Sequence, residues 1–136
     1  MKYIYDPTSP RVKEAKHVMF IISKALNITV NKLKGNSRFR HLVDARRICY
    51  VILKDQMNLT LGEIGSYFDR DHATVLHNYN QHEILYKTDF EYRINYDKAI
   101  KRVENNEYVE NDMYELLNNM IIRLDTLEKQ IKKLNV

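Results

Sequence analysis

The residues of this chain best equipped for chemistry lie between Arg70 and His82. Three histidines, His72, His77 and His82, recur at steps of five. Imidazole is the commonest metal ligand and the usual acid–base group near neutral pH. On a helix, however, a step of five turns each histidine by about 140° from the last, so the three share no ligand face. His82-Glu83 has no second histidine at the zinc-protease step. No glycine-rich phosphate loop, metal-spaced Cys/His cluster or nucleophile motif occurs elsewhere. The expectation is a protein that is not an enzyme and takes no metal, nucleotide or other cofactor. What remains is hydrogen bonding. Arg70 can hold a phosphate or reach guanine. Asp71 can accept from a cytosine amino group or cap a helix. His72 and Thr74 can bond base edges or phosphate, and the methyls of Ala73 and Thr74 suit a thymine methyl.

Presenting such a tip takes two short helices joined by a tight turn, and Asn58 to Asn78 reads that way. The first helix is expected over Leu61–Phe68, with Thr60 as N-cap and Glu63 completing a capping box. Asp69-Arg70 is the turn, and the second helix starts near Asp71, whose carboxylate complements the positive end of the helix dipole. Ile64, Phe68, Val75, Leu76 and Tyr79 are spaced to face a common core. This is a helix-turn-helix pattern, whose second helix enters the major groove of double-stranded DNA. The free amides at Thr60, Leu61, Gly62 and Glu63 can hold a backbone phosphate.

The rest of the chain reads as support. Only three glycines and two prolines interrupt 136 residues, which argues for an all-helical protein. The single cysteine, Cys49, makes no internal disulfide, and no apolar run is long enough to span a membrane. A cytoplasmic setting in a bacterial or phage-infected cell is expected. Ser9-Pro10 opens a first helix reaching about Leu26, with Ala15, Val18, Met19, Ile22 and Leu26 as its apolar stripe. Thr29 to Leu33 forms a short further turn, with Ile28, Val30 and Leu33 inward. Gly35 to His41 is a basic loop whose Arg38 and Arg40 suit a minor groove. A long helix from about Leu42 to Gln56 turns Val43, Ile48, Cys49, Val51 and Ile52 inward and Arg46, Arg47 and Lys54 outward. The second helix of the motif is expected to end near Tyr86. Another follows over Asp89 to Glu104, with Phe90, Ile94, Ala99, Ile100 and Val103 inward. Eleven basic residues between Arg11 and Lys54 face only Glu14 and Asp44, a local charge of +9, whereas residues 105–136 carry −2. A basic body points to a polyanion partner.

Thr60-Leu-Gly-Glu-Ile-Gly65, Tyr67-Phe68 and Arg70-Asp-His-Ala-Thr-Val-Leu-His77 closely resemble the carboxy-terminal DNA-binding domain of the bacterial replication initiator DnaA. The pattern there is roughly S-L-P-E-I-G followed by F-G-x-R-D-H-T-T-V-L-H. The similarity runs back through Ala45-Arg-Arg-Ile48 and the loop at Arg38, over about Arg11 to Glu104. It implies that Arg70, Asp71, His72 and Thr74, with Ala73 and His77 beside them, read bases in the major groove. It implies that Arg38 enters the minor groove and that Arg46, Arg47 and Lys54 grip the backbone. Ala73 replaces a threonine, Gly62 a proline, Asp69 a glycine pair, and Asp44-Ala45 a basic residue and a proline. No phosphate loop precedes the motif, so a free-standing reader without the ATP-driven motor is expected.

The expected fold is therefore an all-α, DnaA-type, Trp-repressor-like helix-turn-helix bundle over residues 1–104. A polar linker at 105–112 leads to a coiled-coil helix at 113–136. Leu117, Leu124 and Ile131 occupy a positions and Met113, Met120, Leu127 and Leu134 d positions of a heptad track. In a parallel pair Arg123 at g would face Glu128 at e, so a homo-oligomer, a dimer first, is expected. The expected function is sequence-specific binding of a DnaA-box-like duplex in replication, its control, or transcription regulation. The alternative is an assembly or adaptor protein, such as a phage structural component, with weak or non-specific DNA binding.

Overall fold

The computed structural model describes residues 9–134, which form seven helices and, among those residues, no strand. These are α1 (Pro10–Ala25), α2 (Val30–Lys34), α3 (Arg40–Met57), α4 (Leu61–Phe68), α5 (His72–Thr88), α6 (Phe90–Glu104) and α7 (Asn106–Leu134). The boundaries follow local chemistry. Proline starts α1, where its missing amide has no partner to lose. Side-chain oxygens of Thr29, Thr60, Asp71 and Asp89 accept the amides of Lys32, Glu63, Thr74 and Tyr92, each three residues on. Asn58 and Asp69 end α3 and α4 in the left-handed region, which short polar side chains tolerate. The capping box at Thr60 is half made. The Glu63 carboxylate turns to Arg11, 2.9 Å from its Nε.

The chain divides into two units, residues 1–104 and 105–136. In the first, α3 is the hub, packed by α1, α2, α4, α5 and α6. Every residue from Ala45 to Leu53 is buried. Val12, Met19 and Ile22 of α1, Leu33 of α2, Ile64 and Phe68 of α4, and Val75 of α5 close around it. Tyr50 and Phe68 meet edge to face at 5.0 Å.

Several expectations are corrected by this packing. α3 begins at Arg40 rather than near Leu42, so the loop shrinks and Arg40 and His41 join the helix. Arg46 and Arg47 are buried, because the middle of α3 has no solvent-facing side to give them. Val43 and Val30 are only half-buried, and Leu76 is exposed. α5 continues to Thr88. On α6, Phe90 is 73% exposed and Ile94 is exposed too; the inward stripe is Tyr92, Tyr96, Ala99, Ile100 and Val103. Tyr92 wins the inner position because its hydroxyl has a partner there, His82 Nδ1 at 2.7 Å.

In the second unit α7 is one unbroken helix that includes the polar stretch read as a linker. Met113 lies outside the residues whose side chains are described. Leu117, Met120, Leu124, Leu127, Ile131 and Leu134 are exposed, as are Leu116, Ile121 and Ile122, so the apolar face at its centre is broader than the heptad seam.

The turn between α4 and α5 depends on a close approach. A Cβ added to Gly65 would lie 2.3 Å from the Arg70 carbonyl oxygen, a backbone atom. Gly62, by contrast, has open space around it. Gly65→Ala is expected to destabilise the fold by about 1–3 kcal/mol through forced backbone movement. Gly62→Ala is expected to stabilise it by roughly 0.4–1 kcal/mol through the unfolded chain. Urea unfolding midpoints of the two variants measure the contrast.

Candidate nucleic-acid interface

α5 buries only Val75 fully, so it lies on the body and leaves its tip open. Asp71, His72, Ala73, Thr74, Leu76 and His77 are all exposed. Asp71 Oδ1 accepts the Thr74 amide at 2.8 Å. That amide, with the Thr74 hydroxyl, holds the Asp71 carboxyl below its usual range. Asp71 therefore presents a charged cap, while His72, Ala73 and Thr74 face solvent. At α4, Thr60 and Gly62 are exposed and Leu61 half-buried; Thr60 Oγ1 satisfies the Glu63 amide.

The arginines expected at the surface divide sharply. Arg46 is 7% exposed, and its guanidinium donates to three carbonyls: Leu33 at 2.8 Å, Ser37 at 2.6 Å and Lys32 at 3.3 Å. It pins α2 and the loop after it to α3. Arg47 donates to Asp44 at 2.8 Å and, across the core, to Asn78 at 3.2 Å and Gln81 at 3.0 Å on α5. Its guanidinium carbon also lies 5.8 Å from the centre of the Tyr92 ring. Arg70 donates to Phe68 at 3.0 Å and to Gly35 at 2.8 Å, tying the turn to the loop. Arg40 pairs with Asp89 and approaches Asp44 at 3.9 Å. Lys54 lies 5.5 Å over the Tyr79 ring.

Arg38 stands apart. It is exposed and makes no hydrogen bond or ion pair among the described residues. It lines a cleft of about 500 Å³ with Asn36 and Ser37 on the loop and Thr74 and Asn78 on α5. A second cleft, of about 480 Å³, has Arg38 beside Val43, Gln81 and Ile84. The structure thus joins Arg38 with Thr74 and Asn78 of α5 in one concave, basic region. Arg46 and Arg70 line the same cleft and Arg47 the neighbouring one, each held by its hydrogen bonds to the scaffold.

Sequence reasoning passed over Asn78 and Gln81. Each lies one helical turn beyond a singled-out residue, Thr74 and His77. Asn78 donates to the Thr74 carbonyl at 2.9 Å, and Gln81 lies 3.2 Å from His77 Nε2. The spacing was the available signal; their bond to Arg47 was not readable without the packing. No group of three His, Cys, Asp or Glu able to hold a metal occurs among the described residues. No helix among them is long and apolar enough to cross a membrane.

Because Arg46 satisfies three buried or half-buried carbonyls, Arg46→Met is expected to cost about 2–3 kcal/mol of stability. Arg38→Ala should stay within roughly 0.5 kcal/mol of the parent. Chemical denaturation of both variants checks the division of labour.

Comparison with known proteins follows the same residues. The family described as the bacterial dnaA protein helix-turn-helix matches residues 15–81. The chromosomal replication initiator protein DnaA of Mycoplasma capricolum is 34% identical over 85 residues, 61% of this chain and 19% of that protein. That of Streptococcus thermophilus is 31% identical over 84 residues, 61% of this chain and 18% of the relative. That of Gloeothece citriformis is 35% identical over 75 residues, 54% and 17%. The chain thus spans about a fifth of the length of these relatives. The match covers the hub helix, the loop that carries Arg38, and the α4–α5 pair. Residues 15–81 are a helix-turn-helix domain of the bacterial DnaA family.

Proposed function

We propose that this protein binds double-stranded DNA in a sequence-specific way and acts at a replication origin or in the control of replication. The observation that carries this reading is the open tip of α5 beside an unpaired Arg38. His72 and Thr74 offer hydrogen bonds to base edges in the major groove, and Ala73 a methyl contact. Arg38 enters the neighbouring minor groove, where an arginine senses groove width. The amides of Leu61 and Gly62 at the start of α4, which have no partner within the helix, receive a backbone phosphate. Arg46 and Arg47, both buried, act through position rather than contact, while Arg70 is half-exposed in the cleft and open to a phosphate. The relatives' name, chromosomal replication initiator, favours replication over transcription control.

The target is a DnaA-box-like duplex, altered where Ala73 replaces threonine. Selection of bound sequences from random duplex DNA is expected to recover one preferred site. His72→Ala should then cost about 1–3 kcal/mol on that site and little on scrambled DNA. Failure to bind any duplex at low salt would sink this reading in favour of an assembly or adaptor role.

We further propose that the chain self-associates through α7, in a dimer. The exposed apolar residues at alternating steps of four and three support it, since such a face lowers its free energy by burial against a copy. Leu124→Asp places a charge in the middle of that face. It is expected to reduce the mass in solution, by light scattering at tens of micromolar, from a dimer to a single chain. A wild-type protein that is monomeric there would refute the dimer.

A further inference from the structure

Phe39 is 71% exposed and sits between Arg38 of the loop and Arg40, the first residue of α3. An exposed phenylalanine by itself needs no explanation. This one stands on unusually fixed backbone. Its amide donates to Ser37 Oγ at 3.3 Å, and its carbonyl accepts the amides of Leu42 and Val43, each at 3.0 Å. Two residues back, the Ser37 carbonyl is held by buried Arg46, and four back, the Gly35 carbonyl by Arg70 of the α4–α5 turn. Next to it, Arg40 is tied to Asp89 at the start of α6. The backbone is thus braced on both sides while the ring is left out, lying nearly parallel to the His41 ring at 6.1 Å. Its neighbour Arg38 lines the cleft shared with Thr74 and Asn78 of α5.

We propose that Phe39 is an apolar wedge that enters the minor groove beside Arg38 and partly unstacks one base-pair step. This rests on the DNA-binding reading above. Apolar side chains that enter a minor groove insert between base steps and kink the duplex. The unpaired charge of Arg38 beside it fits the polyanion, and the braced loop sets the distance between the wedge and the α5 tip. Pyrimidine–purine steps unstack most easily, so the bound site should carry TA or CA/TG at the step beneath Phe39. Specificity would then come from a position that no hydrogen bond reads.

The test uses the duplex recovered by selection with the full chain, with 2-aminopurine placed at successive positions. Wild-type binding is expected to raise fluorescence at one step, a pyrimidine–purine step. Phe39→Ala should abolish that rise and weaken binding about tenfold, the size of one lost contact. Phe39→Leu, still an apolar wedge, should keep most of both. Thermal unfolding of each variant should match wild type, since the ring packs on no core residue. If the wild type binds its site with no rise at any step, or Phe39→Ala binds as tightly with the same rise, the wedge is wrong and the DNA-binding reading survives. If no duplex is recovered at all, that reading falls and takes the wedge with it.

Discussion

A buried guanidinium must be hydrogen-bonded, and this fold depends on two of them side by side. α3 is enclosed by five other helices, yet Arg46 and Arg47 lie at its centre. An unpaired charge there would cost far more than a small domain can spare. Adjacent residues on a helix point about 100° apart, so the two side chains leave in different directions. Arg46 gathers the carbonyls of Lys32, Leu33 and Ser37; Arg47 gathers Asp44, Asn78 and Gln81. One cation therefore fixes the loop that carries Arg38, and the other fixes α5. The core helix becomes the common reference for both halves of the interface.

The turn between α4 and α5 completes that frame. Gly65 lets the Arg70 backbone approach closely, and Asp69 takes the left-handed conformation that closes α4. Arg70 then reaches back to Gly35. The loop is held at two carbonyls by two arginines from different elements, a rigid mount for exposed side chains. Function on a loop is compatible with precision only when the loop is braced in this way.

The arginines that have partners fall into two groups. Arg11, Arg40 and Arg47 meet the carboxylates of Glu63, Asp89 and Asp44, which cancels much of their field. Arg46 and Arg70 are bonded to carbonyls, which satisfies their geometry but leaves their charge. They still contribute attraction for a polyanion, Arg46 from a buried position and Arg70 from a half-exposed one. A count of basic residues measures the attraction poorly; the kind of partner each one has decides it.

The sequence by itself determined where α1, α2, α4, α5 and α6 start and which tip is open. Those are local matters. Thr29, Thr60, Asp71 and Asp89 cap the helices they precede, and Pro10 opens α1, through contacts within four residues. The motif from Thr60 to His77 likewise carried the family. Tertiary structure decided what each face meets. Helical periodicity separates an inner side from an outer one only when the helix has an outer side. The middle of α3, from Ala45 to Leu53, has none, so Arg46 and Arg47 are buried where the pattern places them outside. On α6, hydrophobicity favoured Phe90 and Ile94, but the inner position went to Tyr92. Its hydroxyl meets His82 there, an element apart in sequence. The roles of Asn78, Gln81 and Phe39 belong to the same class. Each depends on a partner, or the lack of one, supplied by residues distant along the chain, and only the packed bundle brings them into place.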